Sequence, residues 1–244
     1  MPRPLIVVCT HHKTGTVWMA DIFRALKKEF KLKMHNGLQQ GLPPGADIFL
    51  QDHSKVDMIA LRGRDPARGV RCVHIIRDPR DVVISGCFYH VKTTEKWANN
   101  PKEEFGGKSY RETIAALPDD HAKLVFEMKH TGGKTMRDML AWNYQDKDVL
   151  EIKYEDIIND KEFKVFRPMM KFLGFEGAEL ERALEIVEEH SLFGGAKKEG
   201  GDVHVRSGES RQWRKTFTPE LKAEFKKLHP EVLQKLCYEK NENW

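Results

Sequence analysis

The chain of 244 residues carries 41 lysines and arginines against 37 aspartates and glutamates. Its hydrophobic share of 40% is enough for a buried core, which excludes global disorder. The net charge of +4 is too small to indicate nucleic-acid binding by itself, although it favours an anionic over a cationic small ligand. The length predicts a single domain over residues 1–244.

Four cysteines lie far apart in the sequence, and no two of them form a Cys-x-x-Cys pair. This spacing favours neither a disulfide framework nor a zinc site, and we expect Cys9 and Cys72 to be small core residues. The apolar runs are shorter than the ~20 residues that a transmembrane helix needs, and the run at residues 5–9 is too short for a signal peptide. We therefore expect a cytoplasmic protein with no membrane partner.

The first predicted element is a strand at residues 5–9, because this β-branched apolar run is typical of a strand buried on both faces. A polar turn at residues 10–16 follows. Apolar residues then recur every four positions, which predicts a helix with one buried face. They are Trp18, Ile22, Leu26 and Phe30.

Two more strands are predicted at residues 47–51 and 70–76. The second of them ends at a helix start signal. Asp78 is a good N-cap, Pro79 suits the first helical position, and Asp81 is an acidic residue in the first turn. A helix therefore begins at residue 79.

The rest of the chain continues the alternation of strands and helices. Residues 92–120 are rich in polar residues, glycine and proline, which indicates a loop or a mobile lid. Further elements are predicted as helices within 120–145, a strand at 149–154, helices at 161–173 and 178–189, and a last helix that begins at Thr218-Pro219. The alternation predicts an α/β fold with a parallel sheet, whose ligands bind at the carboxyl ends of the strands. The loops of interest therefore follow Cys9, Leu50, Ile76 and Tyr154.

The first of these loops is suited to binding an anion. The backbone N–H groups at a helix N-terminus favour negative charge, Lys13 adds a cation, and Gly15 permits close approach. Thr14 and Thr16 add hydroxyl groups. The loop is not a Walker A motif, because Lys13 precedes Gly15. The alternative interpretation is an ordinary strand–helix turn with a solvated lysine.

Two motifs together identify a family. His12-Lys13-Thr14-Gly15-Thr16-Val17-Trp18 resembles the 5′-phosphosulfate loop of the sulfotransferases. The segment at residues 74–85 resembles the strand–helix segment with which that family binds a 3′-phosphate, including the eight-residue spacing from Arg77 to Ser85. The resemblance covers most of the chain. It implies a three-layer sandwich around a central parallel sheet, related to the P-loop nucleotide-binding fold.

The resemblance also implies the donor, 3′-phosphoadenosine 5′-phosphosulfate (PAPS). The loop residues Lys13, Thr14, Gly15, Thr16, Val17 and Trp18 would bind its 5′ end. Arg77 would grip the 3′-phosphate with its planar guanidinium, and Ser85 would add a hydroxyl bond. Without the resemblance, Arg77 could equally be a helix-cap partner or a surface ion pair. Ser85 could equally be a small residue packed against the sheet.

Later segments add further implied contacts with the nucleotide. Tyr154 matches a tyrosine that contacts the adenine region, and Ser191 and Phe193 match residues that line the base. Arg206, Ser207 and Gly208 match a late element that returns to the 3′-phosphate. Ser207 departs from the usual lysine, so one cationic contact is lost or is supplied by another residue. The candidates for that replacement are Lys197, Lys198 and Arg211.

The reaction needs a base that removes the acceptor's proton, and a histidine with a pKa near neutrality is suited to this role. His53 lies where the resemblance places the base, just after the second predicted strand. Asp52 is a less favoured carboxylate candidate. His11 and His12 are rivals in the first loop, where scaffolding is the favoured interpretation, and His74 is expected to be a core histidine. Lys13 would stabilise the leaving phosphate, and no metal is implied.

Two other functions stay open on the residues alone. A small-molecule or nucleotide kinase shares the strand–loop–helix opening, although no magnesium partner for the loop threonines is evident. An inactive module that binds nucleotides or polyanions would use the lysine-rich tracts at 27–33 and 222–227. The expected partner is a small-molecule acceptor with a hydroxyl or amine group, and not a nucleic acid. The sequence determines neither the acceptor nor whether the chain forms a homodimer.

The acceptor would be bound by the more variable loops, at residues 35–46, 88–115 and 194–205. Several aromatic side chains in the second of these loops could form an apolar pocket, or they could equally be core or lid packing. They are Phe88, Tyr89, Trp97 and Phe105.

Overall fold

The computed structural model of the protein describes residues 3–191 and 209–244. Its strands are β1 (Leu5–Thr10), β2 (Met34–Asn36), β3 (Ile48–Gln51), β4 (Val70–Ile76) and β5 (Val149–Lys153). Its helices in the first half are α1 (Thr16–Glu29), α2 (Met58–Arg64), α3 (Pro79–His90), α4 (Lys96–Asn99), α5 (Tyr110–Ala115) and α6 (Asp120–Lys129). Those that follow are α7 (Thr131–Leu140), α8 (Tyr154–Ile157), α9 (Phe166–Phe172), α10 (Gly177–Glu189), α11 (Trp213–Thr216), α12 (Pro219–Leu228) and α13 (Val232–Lys235).

The strands form one sheet in the order β2-β3-β1-β4-β5, and every neighbouring pair is parallel. β1 lies at the centre, where Val7 has Phe49 on one side and Cys72 on the other. Its six residues are all buried. The α/β fold with a parallel sheet is therefore confirmed, and the ends of β1, β3, β4 and β5 meet at one edge of the sheet.

Alternate residues of β1 pack on opposite faces of the sheet, because successive side chains of a strand point in opposite directions. Ile6 and Val8 belong to a core with the buried face of α1 and with α9 and α10. Leu5, Val7 and Cys9 belong to a second core, with Leu61 of α2. Helices therefore cover both faces, which is the three-layer arrangement that the resemblance implied.

The chain divides into two compact units. The first comprises residues 1–77 and 142–201 and contains the whole sheet. The second comprises residues 78–141 and 202–244, and within it α6 packs against α3, α7 and α12. α3 begins as the sequence predicts, with Asp78 as the N-cap whose side chain accepts from the N–H of Arg80, and with Pro79 in the first turn.

The predicted strands and longer helices agree with the structure, but the helix predicted at residues 161–173 begins only at Phe166, and the four-residue helices α8, α11 and α13 were not predicted. The three-residue strand β2 and the helix α2 were not predicted, because β2 is too short for an alternation to show and α2 has one buried residue, Leu61. The segment 92–120 was predicted to be a loop or lid, but it contains α4 and α5. α5 has a complete capping box between Ser109 and Glu112. That local signal was overlooked because the composition of the segment is polar.

The described residues contain no helix that is both long enough and apolar enough to cross a membrane.

Two helical glycines provide a matched test of how closely the helices pack. A Cβ on Gly133, in α7, would lie 2.2 Å from the carbonyl oxygen of Met128 in α6, whereas one on Gly63, in α2, would meet no atom of the described residues within 4 Å. We expect Gly133→Ala to lower the free energy of unfolding by roughly 1–3 kcal/mol. Gly63→Ala should raise it by roughly 0.5–1 kcal/mol, because alanine is the better helix former. Urea unfolding measures both, and a neutral Gly133→Ala would contradict the close approach of α6 and α7.

Candidate functional site

The first loop, residues 11–15, is held by the main chain of His11. The N–H of His11 donates to Thr14 Oγ1 over 2.8 Å, and its carbonyl accepts from the Thr14 hydroxyl at 3.0 Å and the Thr14 N–H at 3.1 Å. The same carbonyl accepts from the hydroxyl of Thr16 at 3.1 Å. Thr14 is fully buried, so its hydroxyl holds the loop from inside rather than facing a ligand.

The turn leaves the start of α1 open. Gly15, the N-cap of α1, has φ +102°, and no side chain caps the helix. Lys13 also has a positive φ, +66°. The first N–H groups of a helix have no partner within it, and they carry the positive end of its dipole. This end of α1 can therefore receive an anion, with Lys13 two residues before the N-cap.

Tyr154 lies against this turn. A Cβ on Gly15 would lie 3.1 Å from the tyrosine ring, which is a tight contact, and L side chains rarely adopt the φ of +102°, so the position favours glycine. Tyr154 is the first residue of α8, directly after β5, and it is buried. The end of β5, the fourth predicted strand, therefore lies beside the loop that follows β1.

Arg77 joins the same group from the end of β4. Its guanidinium is nearly buried, donates to the carbonyl of Lys13 over 3.1 Å and lies 4.5 Å from the centre of the Tyr154 ring. Stacking on an aromatic face fixes the plane of a guanidinium, as the bidentate grip of a phosphate requires. Two cationic residues, Lys13 and Arg77, thus lie at one edge of the sheet.

Trp18 connects α1 to the end of α10, where Ser191 lies. The indole N–H of Trp18 donates to the carbonyl of His190 over 2.9 Å, and its ring meets that of Tyr154 edge-on at 6.0 Å. Ser191 is fully buried, and its hydroxyl donates to the carbonyl of Glu188 over 2.8 Å. Of the other loop residues, Val17 is exposed.

His53 lies on the loop that follows β3. Its side chain is exposed, and Nε2 is 3.9 Å from a carboxylate oxygen of Asp52. The loop is tied to the centre of the sheet, because the hydroxyl of Ser54 donates to the carbonyl of Thr10 over 2.8 Å. The side chain of Gln51 also accepts from the N–H of His53 over 3.0 Å. An exposed imidazole on an anchored backbone is accessible to a substrate.

A cavity of about 340 Å³ opens between α1 and the carboxyl ends of β1, β2 and β3. Its polar lining comes from side chains at the ends of β1, β2 and β3 and on α1. The sequence does not show that they lie together, because they are on separate elements. They include Thr10, Thr16, Arg24, Asn36, Gln51 and Asp52. The cavity has a residue of the first loop, Thr16, and the neighbour of His53 on its walls.

His74 is a core histidine, as expected, and it is bonded to a second one. Its Nε2 lies 2.7 Å from Nε2 of His11, and both side chains are buried. His74 stacks on Trp142 with ring centres 4.1 Å apart, and its Nδ1 is 3.8 Å from a carboxylate oxygen of Glu151. Burial lowers the pKa of His74 to about 3. His11 is therefore scaffolding rather than an accessible base.

The remaining candidate residues lie outside the first unit or outside the described ranges. Ser85 is half-buried on α3, in the second unit. Phe193, Arg206, Ser207 and Gly208 lie outside the described residues, as do the alternative cations Lys197 and Lys198. Arg211, the third alternative, donates its backbone N–H to Asp81 over 2.6 Å within the second unit.

Arg80 is buried in the second unit. Its guanidinium makes two bonds to Asp78, pairs with Glu239 at 2.7 Å and lies 3.5 Å from the centre of the Trp213 ring. The aromatic residues 97 and 105 also pack within that unit, each against Tyr110.

The second unit contains a buried polar network that the sequence does not predict. Glu127 of α6 accepts from Tyr110 at 2.9 Å and lies 2.8 Å from Nδ1 of His90, and all three side chains are buried. Burial and the charge of Glu127 raise the pKa of Tyr110 well above its usual value. Nothing in the sequence marks Glu127, since a glutamate on an amphipathic helix is ordinarily exposed. Within residues 3–191 and 209–244, no group of three or more acidic, histidine or cysteine side chains could hold a metal ion.

The buried, neutral His74 predicts a loss of stability in acid. The unfolded chain binds a proton near pH 6.5, whereas the folded chain does so only near pH 3, so stability falls as the pH drops between these values. The contribution is about 1.4 kcal/mol for each pH unit below about 6. His74→Phe keeps the stacking on Trp142. We expect it to reduce the slope of the free energy of unfolding against pH by that amount. Urea unfolding at pH 7.5, 6.0 and 5.0 measures it, and the exposed His121→Gln is the control. An unchanged slope in His74→Phe would show that His74 is protonated in the folded protein.

The comparisons with known proteins agree on one family. A sulfotransferase domain model matches residues 3–236. Among solved structures, mouse sulfotransferase SULT7A1 complexed with PAP has 17% sequence identity and a TM-score of 0.64, with 96% of this chain and 87% of that chain covered. A retinol dehydratase in complex with androsterone and inactive cofactor PAP has 16% identity and a TM-score of 0.57, with 96% and 82% covered.

These two structures share the fold of this chain, and no curated protein matches it in sequence. The domain model spans both compact units. The protein therefore belongs to the sulfotransferase family.

Proposed function

We propose that this protein transfers a sulfuryl group from PAPS to a hydroxyl or amine group of a small-molecule acceptor. The observation that carries the proposal is the pair of cations, Lys13 and Arg77, at the carboxyl edge of the sheet beside the open N-terminus of α1. PAPS has an anion at each of two ends, so it needs two separate anion-binding groups. The structural relatives crystallised with PAP, the product of PAPS, support the same donor.

The donor's 5′ end would bind at the first loop, and its 3′-phosphate at Arg77. The loop fits this role, because Gly15 has no side chain to block the helix N-terminus and the conformation of Lys13 is held by Arg77. Ser85 would add a hydroxyl bond to the 3′-phosphate. Tyr154 and Ser191 would border the nucleotide, together with Phe193 and the late residues Arg206, Ser207 and Gly208.

In the proposed reaction, a new bond forms between the acceptor oxygen or nitrogen and sulfur, while the bond from sulfur to the bridging oxygen of the 5′-phosphate breaks. His53 takes the acceptor proton as general base. Lys13 and the N–H groups of the loop stabilise the charge that develops on the bridging oxygen. These protein groups supply the charge stabilisation, so we assign no metal to the reaction.

We assign the acceptor to the 340 Å³ cavity beside the first loop. Its lining includes Thr16, the first residue of α1 after the donor loop, and Asp52, which adjoins His53. An acceptor bound there would lie between the proposed donor site and the proposed base. The hydroxyl, amide and charged groups of the lining can bond to polar groups of the acceptor.

The wider setting is also proposed. The domain model spans residues 3–236, which supports one sulfotransferase domain over both compact units. Cys9 and Cys72 lie in contact in the core without a disulfide, which suits a reducing, cytoplasmic compartment. We propose no nucleic-acid partner and leave a homodimer to measurement.

Substitution of the two proposed reacting groups tests the mechanism. We expect Lys13→Ala to lower kcat/KM by about 10²–10³-fold, through loss of charge stabilisation. His53→Ala should lower it by about 10²–10⁴-fold, through loss of the general base. The assay uses labelled PAPS with a panel of phenol, alcohol, sugar and amine acceptors, and mass spectrometry identifies the product.

The controls are Lys28→Ala, on the exposed side of α1, and His121→Ala, in the second unit. Both should retain full activity. Near-normal turnover by His53→Ala would assign the base to another group, with Asp52 as the next candidate. An absence of product with every acceptor, in a protein that binds PAP, would favour the inactive binding module.

Thermal shift separates the sulfotransferase from the kinase. A ligand that binds the folded protein at a hundred times its Kd stabilises it by about 2.7 kcal/mol. We expect 3′-phosphoadenosine 5′-phosphate (PAP) to raise Tm by several degrees and ATP with magnesium to raise it less. Lys13→Ala should reduce the first shift. A larger shift with ATP and magnesium would favour the kinase.

A further inference from the structure

Two buried histidines meet beneath the first loop. Nε2 of His11 lies 2.7 Å from Nε2 of His74, and the ring planes are inclined at 77°. This is hydrogen-bond distance, and the edge-on arrangement directs a nitrogen of one ring at a nitrogen of the other. Neither residue takes part in the proposed chemistry.

A bond between two imidazole nitrogens requires two different tautomers. One ring must carry its proton at Nε2 and donate it, while the other must carry its proton at Nδ1 and accept. Glu151, directly opposite His74 in the sheet, brings a carboxylate oxygen to 3.8 Å from His74 Nδ1. This carboxylate favours the proton on His74 Nδ1, so His11 is the donor of the pair. A proton on the accepting Nε2 of His74 as well would set two N–H groups against each other.

The main chain of His11 connects this hydrogen bond to the first loop. Its main chain makes the hydrogen bonds that hold Thr14 and Thr16, and the left-handed residue Lys13 lies between His11 and Thr14. A displacement of His11 would therefore change the position of Lys13 and of the N-terminus of α1.

His74 is in turn fixed by the sheet. It lies on β4, three residues before Arg77, and Trp142 stacks on its ring with an interplanar angle of 9°. β4 ends at Ile76, and Arg77 follows it directly. The histidine bond thus links the loop with one cation, Lys13, to the strand that leads to the other, Arg77.

We propose that His11 and His74 are positioning residues for the donor, whose neutral N–H···N bond sets the spacing between the two cationic sites at Lys13 and Arg77. The proposal rests on the proposed function, since it concerns the same nucleotide. It predicts that a variant without the bond binds the nucleotide more weakly, because the two cations no longer match the distance between its anionic ends.

The test is a double-mutant cycle in the full chain. We expect His11→Phe and His74→Phe each to weaken the binding of 3′-phosphoadenosine 5′-phosphate about tenfold, since each leaves a buried nitrogen without its partner. The double variant keeps an edge-on pair of aromatic rings and loses the bond only once. It should bind about tenfold more weakly than the natural protein, and not a hundredfold. Isothermal titration calorimetry measures Kd.

Leu61→Ala is the control for a general loss of stability, because it empties a core position under α2 and does not touch the loop. It should lower Tm and leave Kd unchanged. Unchanged Kd in both single variants, or additive losses in the double variant, would overturn the proposal. An equal loss of affinity in Leu61→Ala would also overturn it. If the natural protein itself does not bind the nucleotide, the proposed function fails instead.

A second measurement uses the natural protein and does not depend on the folding of a variant. Long-range ¹H–¹⁵N spectra of the imidazoles report the tautomer and charge of each histidine. We expect His11 to be protonated at Nε2 and His74 at Nδ1, with His74 neutral from pH 8 to pH 5. Glu151 on β5 is the charged group that faces His74, and burial raises its pKa. Identical tautomers, or a charged His74 ring at pH 6, would overturn the assignment.

Discussion

The left-handed turn between β1 and α1 is the constraint on which the site depends. A non-glycine residue in this conformation costs about 1–2 kcal/mol, and Lys13 adopts it with φ +66°. The hydrogen bonds from Thr14 to His11 and from Arg77 to the Lys13 carbonyl offset that cost. The turn exposes the N-terminus of α1, and it also brings Lys13 and Arg77 to the same edge of the sheet.

The surroundings of the turn are more rigid than an ordinary strand–helix loop requires. The ring of Tyr154 and the positive φ favour glycine at position 15, and Trp18 connects the first turns of α1 to the end of α10. A site that binds an anion with backbone N–H groups must hold those groups in place before the ligand arrives, because the groups cannot adjust without breaking the helix. The buried aromatic and imidazole side chains provide that rigidity.

His53, the proposed base, and His74, beneath the first loop, lie in opposite environments. His53 is exposed on a loop that is tied down through its neighbours Gln51 and Ser54, so its backbone is fixed while its imidazole stays accessible. His74 is the opposite case, because burial lowers its pKa and keeps it neutral. The same residue type is therefore a proposed proton acceptor in one place and part of the scaffold in the other. Burial decides which role each one has.

The sequence by itself determined the parallel sheet and the first loop. The apolar run at residues 5–9, the spacing of apolar residues in α1, and the Asp78-Pro79 cap are local patterns, and their physics does not depend on the rest of the chain. The two motifs also fixed the family, which the domain model then confirmed.

Only the tertiary structure decided which distant side chains meet. His11 and His74 are separated by 63 positions, and Glu127 lies in a helix whose polar residues are ordinarily solvated. The same is true of the cavity between α1 and the ends of three strands. Strand order and register set these contacts, and no local pattern encodes them. A buried polar group needs a hydrogen-bond partner, and that partner can lie far away in the sequence.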